Sequence, residues 1–296
     1  MDDLEYLARD IREAGCVVAL TGSGISAPSG VPTFRGEDGI WDRFEEGQFT
    51  YGRFQRDPAG FWCDRLELQQ ALFGSSYAPN AAHEALARLG RAGHLEAIIT
   101  QNTDGLHERA ADSPSENGVN QSVDGDRNRE YSEAPGRTKN TDPAESDETE
   151  PTGPQNATGA SILELHGNAH RVVCVGCGSR TRADPIFDRV DAEDVPPRCD
   201  CGGLYKPDVV LFGQQLSEPL LQQARTLARE SDVFLAIGSS LVVEPAASLP
   251  RVAARNGATV AIVNLEATPL DRHASRVYRA DVTAILPRLA DLVESV

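Results

Sequence analysis

Two short polar strings carry groups able to move a proton and to hold a small polar ligand. Thr100-Gln101-Asn102-Thr103-Asp104 follows the apolar run Ala97-Ile98-Ile99, and Glu164-Leu165-His166-Gly167 closes a second short apolar run. In parallel-sheet folds the ends of strands are where ligand groups stand. Gln101 and Asn102 can hydrogen-bond sugar hydroxyls, a carboxamide or a water, and Asp104 can accept from a carboxamide NH₂. Asp104 also reads as a helix N-cap leading into Gly105-Leu106-His107. His166, just before a glycine, can project into a cleft, where neutral imidazole is the side chain suited to general-base work near pH 7. His83, His94, His107, His170 and His273 read as structural histidines.

A third string supplies a small-residue turn. Cys16-Val17-Val18-Ala19-Leu20 reads as a buried strand, and it empties into Thr21-Gly22-Ser23-Gly24-Ile25-Ser26-Ala27. Gly22, Gly24 and Ala27 fit the G-x-G-x-x-G/A spacing of a dinucleotide-binding turn, whose glycines let the backbone approach a ligand. Pro28, Gly30 and Pro32 interrupt the helix that would follow, and the loop runs on through Thr33-Phe34-Arg35-Gly36 to Gly39-Ile40-Trp41. Backbone amides after Gly22 and the Arg35 guanidinium can meet phosphate. Phe34 can shield a reactive ring. Gly238-Ser239-Ser240 and Asn264-Leu265-Glu266 each follow an apolar run and can contact the adenosine half of a dinucleotide. No acid ends a second strand about 20 residues after the turn, so Glu266 is the candidate for the ribose contact.

Four of the six cysteines are clustered as Cys174-x-x-Cys177 and Cys199-x-Cys201. Two close thiolate pairs separated by 21 residues match a structural tetrahedral zinc site, one ion per chain, with no open position for chemistry. The second pair has one spacer residue where two are usual. Cys16 and Cys63 read as small core residues.

The elements that must hold these strings alternate. Helical periodicity marks 2–14, 59–72, 80–92, 216–230, 246–256 and 284–293. Buried strands are expected at 16–20, 97–100, 209–212, 233–237 and 259–263. That alternation predicts an α/β fold with a parallel sheet covered on both faces. Residues 112–160 break the pattern, with eleven acids against four bases and almost no large apolar side chains. They read as a disordered acidic insertion.

Together these strings resemble the sirtuins. The resemblance rests on Thr21–Gly36, Gly39-Ile40-Trp41, Pro79-Asn80-Ala81-Ala82-His83, Thr100–Asp104, Glu164–Gly167, the four cysteines, Lys206-Pro207-Asp208-Val209-Val210-Leu211-Phe212-Gly213, Gly238-Ser239-Ser240 and Asn264-Leu265-Glu266. It implies a large Rossmann-like NAD-binding domain from 1–111 and 204–296, a small zinc module at 171–203, and 161–170 at the cleft. It also implies an NAD-dependent protein-lysine deacylase, in which the acyl group is transferred to ADP-ribose and nicotinamide is released. His166 and Asn102 would be catalytic. Gly22, Ser23, Gly24, Ile25, Ser26, Ala27, Thr33, Phe34, Arg35 and Trp41 would hold the diphosphate and nicotinamide ribose. Gln101, Asn102, Thr103 and Asp104 would form the nicotinamide side. Gly238, Ser239, Ser240, Asn264, Leu265, Glu266 and the backbone at Val282 would line the adenosine end. Val209, Phe212 and Gly213 would pair with the acylated protein substrate as an added strand.

This chain departs from the family at Ser23, Thr103 and Gln214, and at Trp62 and Arg65, where desuccinylating members carry Tyr-x-x-Arg. Arg65 is then either a contact to an acidic acyl group or a plain helix-surface charge. Mono-ADP-ribosyl transfer and a non-catalytic NAD- or ADP-ribose-binding scaffold remain alternative readings.

No run of about 18 apolar residues is present, and the acidic start Met1-Asp2-Asp3-Leu4-Glu5 lacks the basic and apolar regions of a signal peptide, so a cytoplasmic location is expected. The net charge is −17, and only two of the 28 basic residues are lysine. That balance disfavours direct nucleic-acid binding. It is the surface expected of a salt-adapted protein, since carboxylate repulsion is screened as salt rises. The unfolding midpoint, followed by circular dichroism, is expected to rise between about 0.2 and about 3 M salt. An unchanged or falling midpoint would refute salt adaptation.

Overall fold

A computed structural model describes residues 3–33, 39–74, 76–113 and 159–295. Most of the predicted insertion, together with Phe34 and Arg35, lies outside these residues. The insertion is shorter than expected at both ends. Asp112 closes a helix, and Ala160 is buried against Gly90.

In chain order the elements are α1 (Asp3–Glu13), β1 (Val17–Thr21), α2 (Tyr51–Arg56), α3 (Pro58–Phe73), α4 (Ala81–Arg91), β2 (Ala97–Thr100), α5 (Leu106–Asp112) and β3 (Ser161–Glu164). They continue with β4 (Gly167–Cys174), β5 (Arg180–Arg182), α6 (Asp184–Asp191), β6 (Tyr205–Val209), α7 (Glu218–Glu230), β7 (Val233–Ile237), α8 (Leu249–Arg255), β8 (Thr259–Val263), β9 (Arg276–Tyr278) and α9 (Val282–Glu294).

Six strands form one parallel sheet in the order β3-β2-β1-β7-β8-β9. Every residue of β1 and β7 is buried, because strand side chains alternate between faces and helices cover both. Val17 and Ala19 of β1 pack with Leu7, Leu86 and Leu289 of α1, α4 and α9. Val18 and Leu20 pack on the other face with Ala224 and Leu249 of α7 and α8. The strand order reverses at the β1–β7 pair. At such a switch the loops leaving adjacent strands diverge and open a crevice at the carboxyl ends.

Three strands, β5-β4-β6, make a second, antiparallel sheet. Here one expectation is corrected. Residues 209–212 do not form a strand of the parallel sheet. The strand is Tyr205–Val209 and it pairs with β4. The alternation Val-Val-Leu-Phe reads as buried either way, so period alone does not assign a sheet. The small sheet is closed by side chains far from it in sequence: Phe54, Phe61 and Trp62 of α2 and α3 pack with Val172 and with Phe187 of α6.

The first loop is shaped by close contact between backbones. An added Cβ on Gly22 or Gly24 would lie 2.8 Å from the Gly238 carbonyl oxygen. Gly24 N–H donates to that same oxygen at 2.8 Å. These glycines were expected to make room for a ligand. They make room for the loop after β7, and Gly22 lines the cavity as well. Gly24→Ala is expected to cost about 1–3 kcal/mol of unfolding free energy, from forced backbone displacement. Gly47→Ala, where nothing lies within 4 Å, is the control and should change stability by less than about 0.5 kcal/mol. Equal effects in the two variants would refute the packing role.

Candidate active site

The ends of β1, β2 and β7 converge on a cavity of about 730 Å³. Its walls include Gly22, Ser23 and Trp41, the Gln101–Thr103 turn, His166, Arg65, Val209 to Gly213, Ser239 and Ser240. A small recess behind it is lined by Ser26, Val31, Asn102 and Asp104. The rings of Trp41 and Phe212 meet edge-on at 5.2 Å in the cavity wall.

His166 follows β3 and precedes β4, so the main chain on either side of it enters a different sheet. Its Nδ1 lies 3.0 Å from the Gln101 carbonyl oxygen. A carbonyl only accepts, so Nδ1 carries the proton and donates, leaving Nε2 as the basic nitrogen. Burial lowers the imidazole pKa below its ordinary value, and the bond to Gln101 opposes this. The ring is therefore neutral at pH 7.

Asn102 is almost wholly buried, and its amide hydrogens are spent on protein. Nδ2 donates to the Gly22 carbonyl at 3.2 Å and to Ser26 Oγ at 3.0 Å. Its backbone N–H donates to Thr100 Oγ1, which also accepts from Thr21 Oγ1. Asp104 Oδ1 accepts from Leu106 N–H at 3.0 Å, so it does cap α5. The carboxylate also faces the recess, and burial raises its pKa against the backbone bond and the Ser26 hydroxyl. Capping and facing the site are compatible roles.

Two histidines read as merely structural support this floor. His83 Nδ1 accepts from the Asn80 N–H at the start of α4, so Nε2–H donates toward Ser26 Oγ at 3.4 Å. His107 Nε2 donates to Thr21 Oγ1 at 2.9 Å. Burial lowers both pKa values, that of His83 to about 4, so both are neutral donors at pH 7. Thr21, Thr100, His83 and His107 were missing from the sequence-derived site. The signal for His83 was Asn80 three residues before it, a reciprocal cap that fixes the ring. Asn80 Nδ2 reaches on to the Ile25 carbonyl at 2.8 Å and so ties α4 to the first loop.

Other expected residues fall in several places. Ile25 is fully buried in the core, Ala27 is exposed, and the Thr33 carbonyl accepts from Ile40 N–H. Ser239 and Ser240 line the cavity, and Gln101 Nε2 donates to Ser239 Oγ at 2.9 Å. Asn264, Leu265 and Glu266 are not part of the cavity wall; Asn264 Nδ2 instead bonds the Glu266 carbonyl. The Val282 side chain packs in the core at the start of α9, so only its backbone is left for the expected contact.

Trp62 was expected at the substrate. It is fully buried in the aromatic cluster of α3 and α6, with Nε1 donating to the Tyr205 carbonyl at 3.0 Å. Arg65, three residues on and against the same Phe187 ring, does line the cavity. Arg65 is not a surface charge. It is 3% exposed, its Cζ sits 5.8 Å from the Phe187 ring centroid, and Nη1 has no hydrogen-bond partner. Burial lowers its pKa to about 10, so it stays charged at neutral pH.

The four clustered cysteines bring their Sγ atoms within 4.8 Å of one another. Cys174 and Cys201 are 3.5 Å apart and Cys177 and Cys199 3.9 Å. A tetrahedral ion with metal–sulfur bonds of about 2.3 Å sets sulfurs about 3.8 Å apart, so the residues fit such an ion. The single spacer in Cys199-x-Cys201 does not prevent it. Backbone N–H groups lower the Cys174 and Cys199 thiols. At Cys201 the Gly203 N–H acts the same way, but the crowded neighbouring sulfurs outweigh it and push the thiol to about 12. A cation at the centre relieves that crowding.

Residues 22–117 and 151–245 match the model of the Sir2 family, and the chain belongs to that family. It is 44% identical over 292 residues to an NAD-dependent protein deacetylase of Haloarcula marismortui, covering 98% of this chain and 94% of that protein. It is 37% identical over 278 residues to an NAD-dependent protein deacetylase of Sulfurisphaera tokodaii, covering 94% and 91%. A solved Sir2 complex with a p53 peptide and NAD⁺ superposes with a TM-score of 0.73 at 30% identity, over 98% of each chain. Among the described residues no helix is long and apolar enough to cross a membrane.

Behind the site, Glu108 of α5 shares a hydrogen bond with Glu164, which also accepts from Asn168 Nδ2 at 2.6 Å and pairs with Arg171. Burial first, and then the Glu164 charge, raise Glu108 from 4.5 to about 8. The folded state therefore holds a proton that the unfolded chain releases, and stability from this group falls as pH rises from 4.5 toward about 8. Glu108→Gln removes that fall. In urea titrations the variant should match the parent near about pH 5 and exceed it near about pH 9. A constant offset at both pH values would refute the shared proton.

Proposed function

We propose that the chain is an NAD-dependent protein-lysine deacylase that transfers the acyl group of a modified lysine to ADP-ribose. The observation that carries this is the tautomer of His166. Its proton is committed to the Gln101 carbonyl, and its basic Nε2 belongs to a ring in the cavity wall. A group that only binds nucleotide has no need of an aligned neutral base, which speaks against a passive scaffold.

In this reading Gly22, Ser23 and Trp41, with Gln101 and Ser239, hold the dinucleotide. Asn102 and Asp104 face the nicotinamide in the recess, Asp104 accepting from its carboxamide. Bound NAD supplies the ribose carbon that takes the acyl oxygen when nicotinamide departs. His166 Nε2 then accepts the proton of a ribose hydroxyl, and Val209 to Gly213 receive the peptide main chain. The large parallel-sheet body serves as the NAD domain. The small sheet, pinned by zinc on the four cysteines, serves as the second module, with the metal outside the chemistry. The carboxylate-rich surface supports a salt-rich cytoplasm.

Arg65 supports a preference among acyl groups. A buried guanidinium with an unpaired Nη1 is costly unless an anion meets it. An acyl chain ending in a carboxylate, such as succinyl, supplies one, while acetyl does not.

The test is incubation with NAD and matched acetyl and succinyl peptides at high salt, with nicotinamide and acyl-ADP-ribose read by mass. Both products are expected, with kcat/KM for succinyl above that for acetyl, and an acid limb below about pH 6.5. His166→Ala should lower turnover about 100-fold to 10,000-fold while the Kd for NAD stays within a few-fold. Turnover at the parental rate in that variant would overturn the assignment. Nicotinamide release with ADP-ribose left on protein would favour mono-ADP-ribosyl transfer.

A further inference from the structure

Lysine is nearly absent from this chain, yet one of its two copies, Lys206, is 6% exposed. A buried ammonium needs acceptors for its hydrogens. Lys206 Nζ donates to two main-chain carbonyls, of Pro207 and Val209, each at 2.6 Å. The Val209 carbonyl belongs to the peptide group whose N–H, on Val210, donates to the His166 carbonyl at 2.9 Å. That one peptide is held at both ends, by a charge on one side and by the main chain of His166 on the other.

There is no slack at this crossing. Val209 pairs with Gly167, and Gly167 has a φ of +78° with an added Cβ only 2.0 Å from the Asp208 carbonyl oxygen. From Val209 onward the chain forms the cavity wall.

We propose that Lys206 is a positioning residue for the acyl-lysine substrate, its ammonium setting, through the 209–210 peptide, both the substrate-facing main chain and the seat of His166. The proposal rests on the deacylase reading above and deepens it. Among the described residues, the charges facing Lys206 are Asp208 on its own strand, which favours the ammonium, and Arg65 of α3 and Arg180 of β5, which oppose it. Burial is the largest influence and pushes the group down to about 8. A neutral amine donates more weakly than an ammonium, so the clamp loosens on mild alkalisation.

The experiment measures KM and kcat for an acyl peptide, and Kd for NAD by calorimetry, between about pH 6.5 and about pH 9.5 in the parent and in Lys206→Met. Nitrogen-15 labelling of lysine Nζ follows the same titration by NMR in the parent, where only two signals are possible. In the parent, peptide KM should rise about tenfold along an alkaline limb that coincides with titration of one Nζ signal, while Kd for NAD stays flat. Lys206→Met should show the raised KM at every pH, no limb, and Kd for NAD within about twofold of the parent. A purely structural lysine would move Tm and leave the limb in place. A limb that persists in the variant overturns the proposal. So does an Nζ signal titrating near the ordinary 10.4. Where the variant does not fold, the parent alone decides, because a limb and an Nζ titration more than about one pH unit apart overturn it. Absence of turnover in the parent with every acyl peptide would overturn the deacylase reading itself, whereas turnover without the coincident titration overturns only the role of Lys206.

Discussion

The Gln101 carbonyl can accept a hydrogen bond but never donate one, and His166 Nδ1 lies 3.0 Å from it. That asymmetry fixes the tautomer of the base, and the remaining geometry serves to keep the two groups together. Gln101 is held at the end of β2 by its N–H to the Thr21 carbonyl, so it moves only with the central strand β1. His166 is held from the other side, by its carbonyl to Val210 N–H and by the pairing of Gly167 with Val209. The ring thus spans from the parallel sheet to the antiparallel one. A hydrogen bond alone contributes about 1 kcal/mol to stability. Its importance here is orientation, because the wrong tautomer would place a donor where an acceptor is needed.

The floor of the cavity follows the same logic. A buried hydroxyl or amide is tolerated only when its partners are present. Thr21, Thr100, Ser26, Asn102, His83 and His107 satisfy one another nearly completely, with His107 Nδ1 the unpaired atom among them. Neutral histidines suit this role because each offers one donor and one acceptor without a charge to desolvate. The network leaves Asp104 as the acidic group of the recess. Arg65 is the opposite case, a charge whose local partners are incomplete, at the cavity wall.

The small sheet depends on two unlike fasteners. One is an aromatic cluster built from helices α2, α3 and α6. The other is the group of four cysteines, whose sulfurs lie within 4.8 Å of one another and could hold a metal ion. A small sheet gains its stability by packing an apolar face against helices, and the aromatic cluster supplies that packing. Their combined effect is to seat the strand that leads from Lys206 to Gly213 against the base.

Much was legible in the residues alone. The continuous apolar runs at 17–20, 97–99, 233–237 and 260–263 pointed to a parallel sheet, because strands buried on both faces can be apolar at every position. The polar strings after the first three of those runs marked the cavity, the string after the fourth did not, and the cysteine spacing marked the four-cysteine cluster. What the runs could not decide was partnership. Val209-Val210-Leu211-Phe212 has the same local character as a central strand, yet pairing across long sequence distance sent it elsewhere. Trp62 and Arg65 sit on one helix three residues apart, and only packing sent one into an aromatic core and the other to the cavity. The glycines of the first loop were legible as a demand for space, and tertiary structure decided that Gly238 takes up part of it while Gly22 also lines the cavity. Sequence determines which groups are present and their local periodicity, whereas neighbours brought from far along the chain decide what each side chain touches.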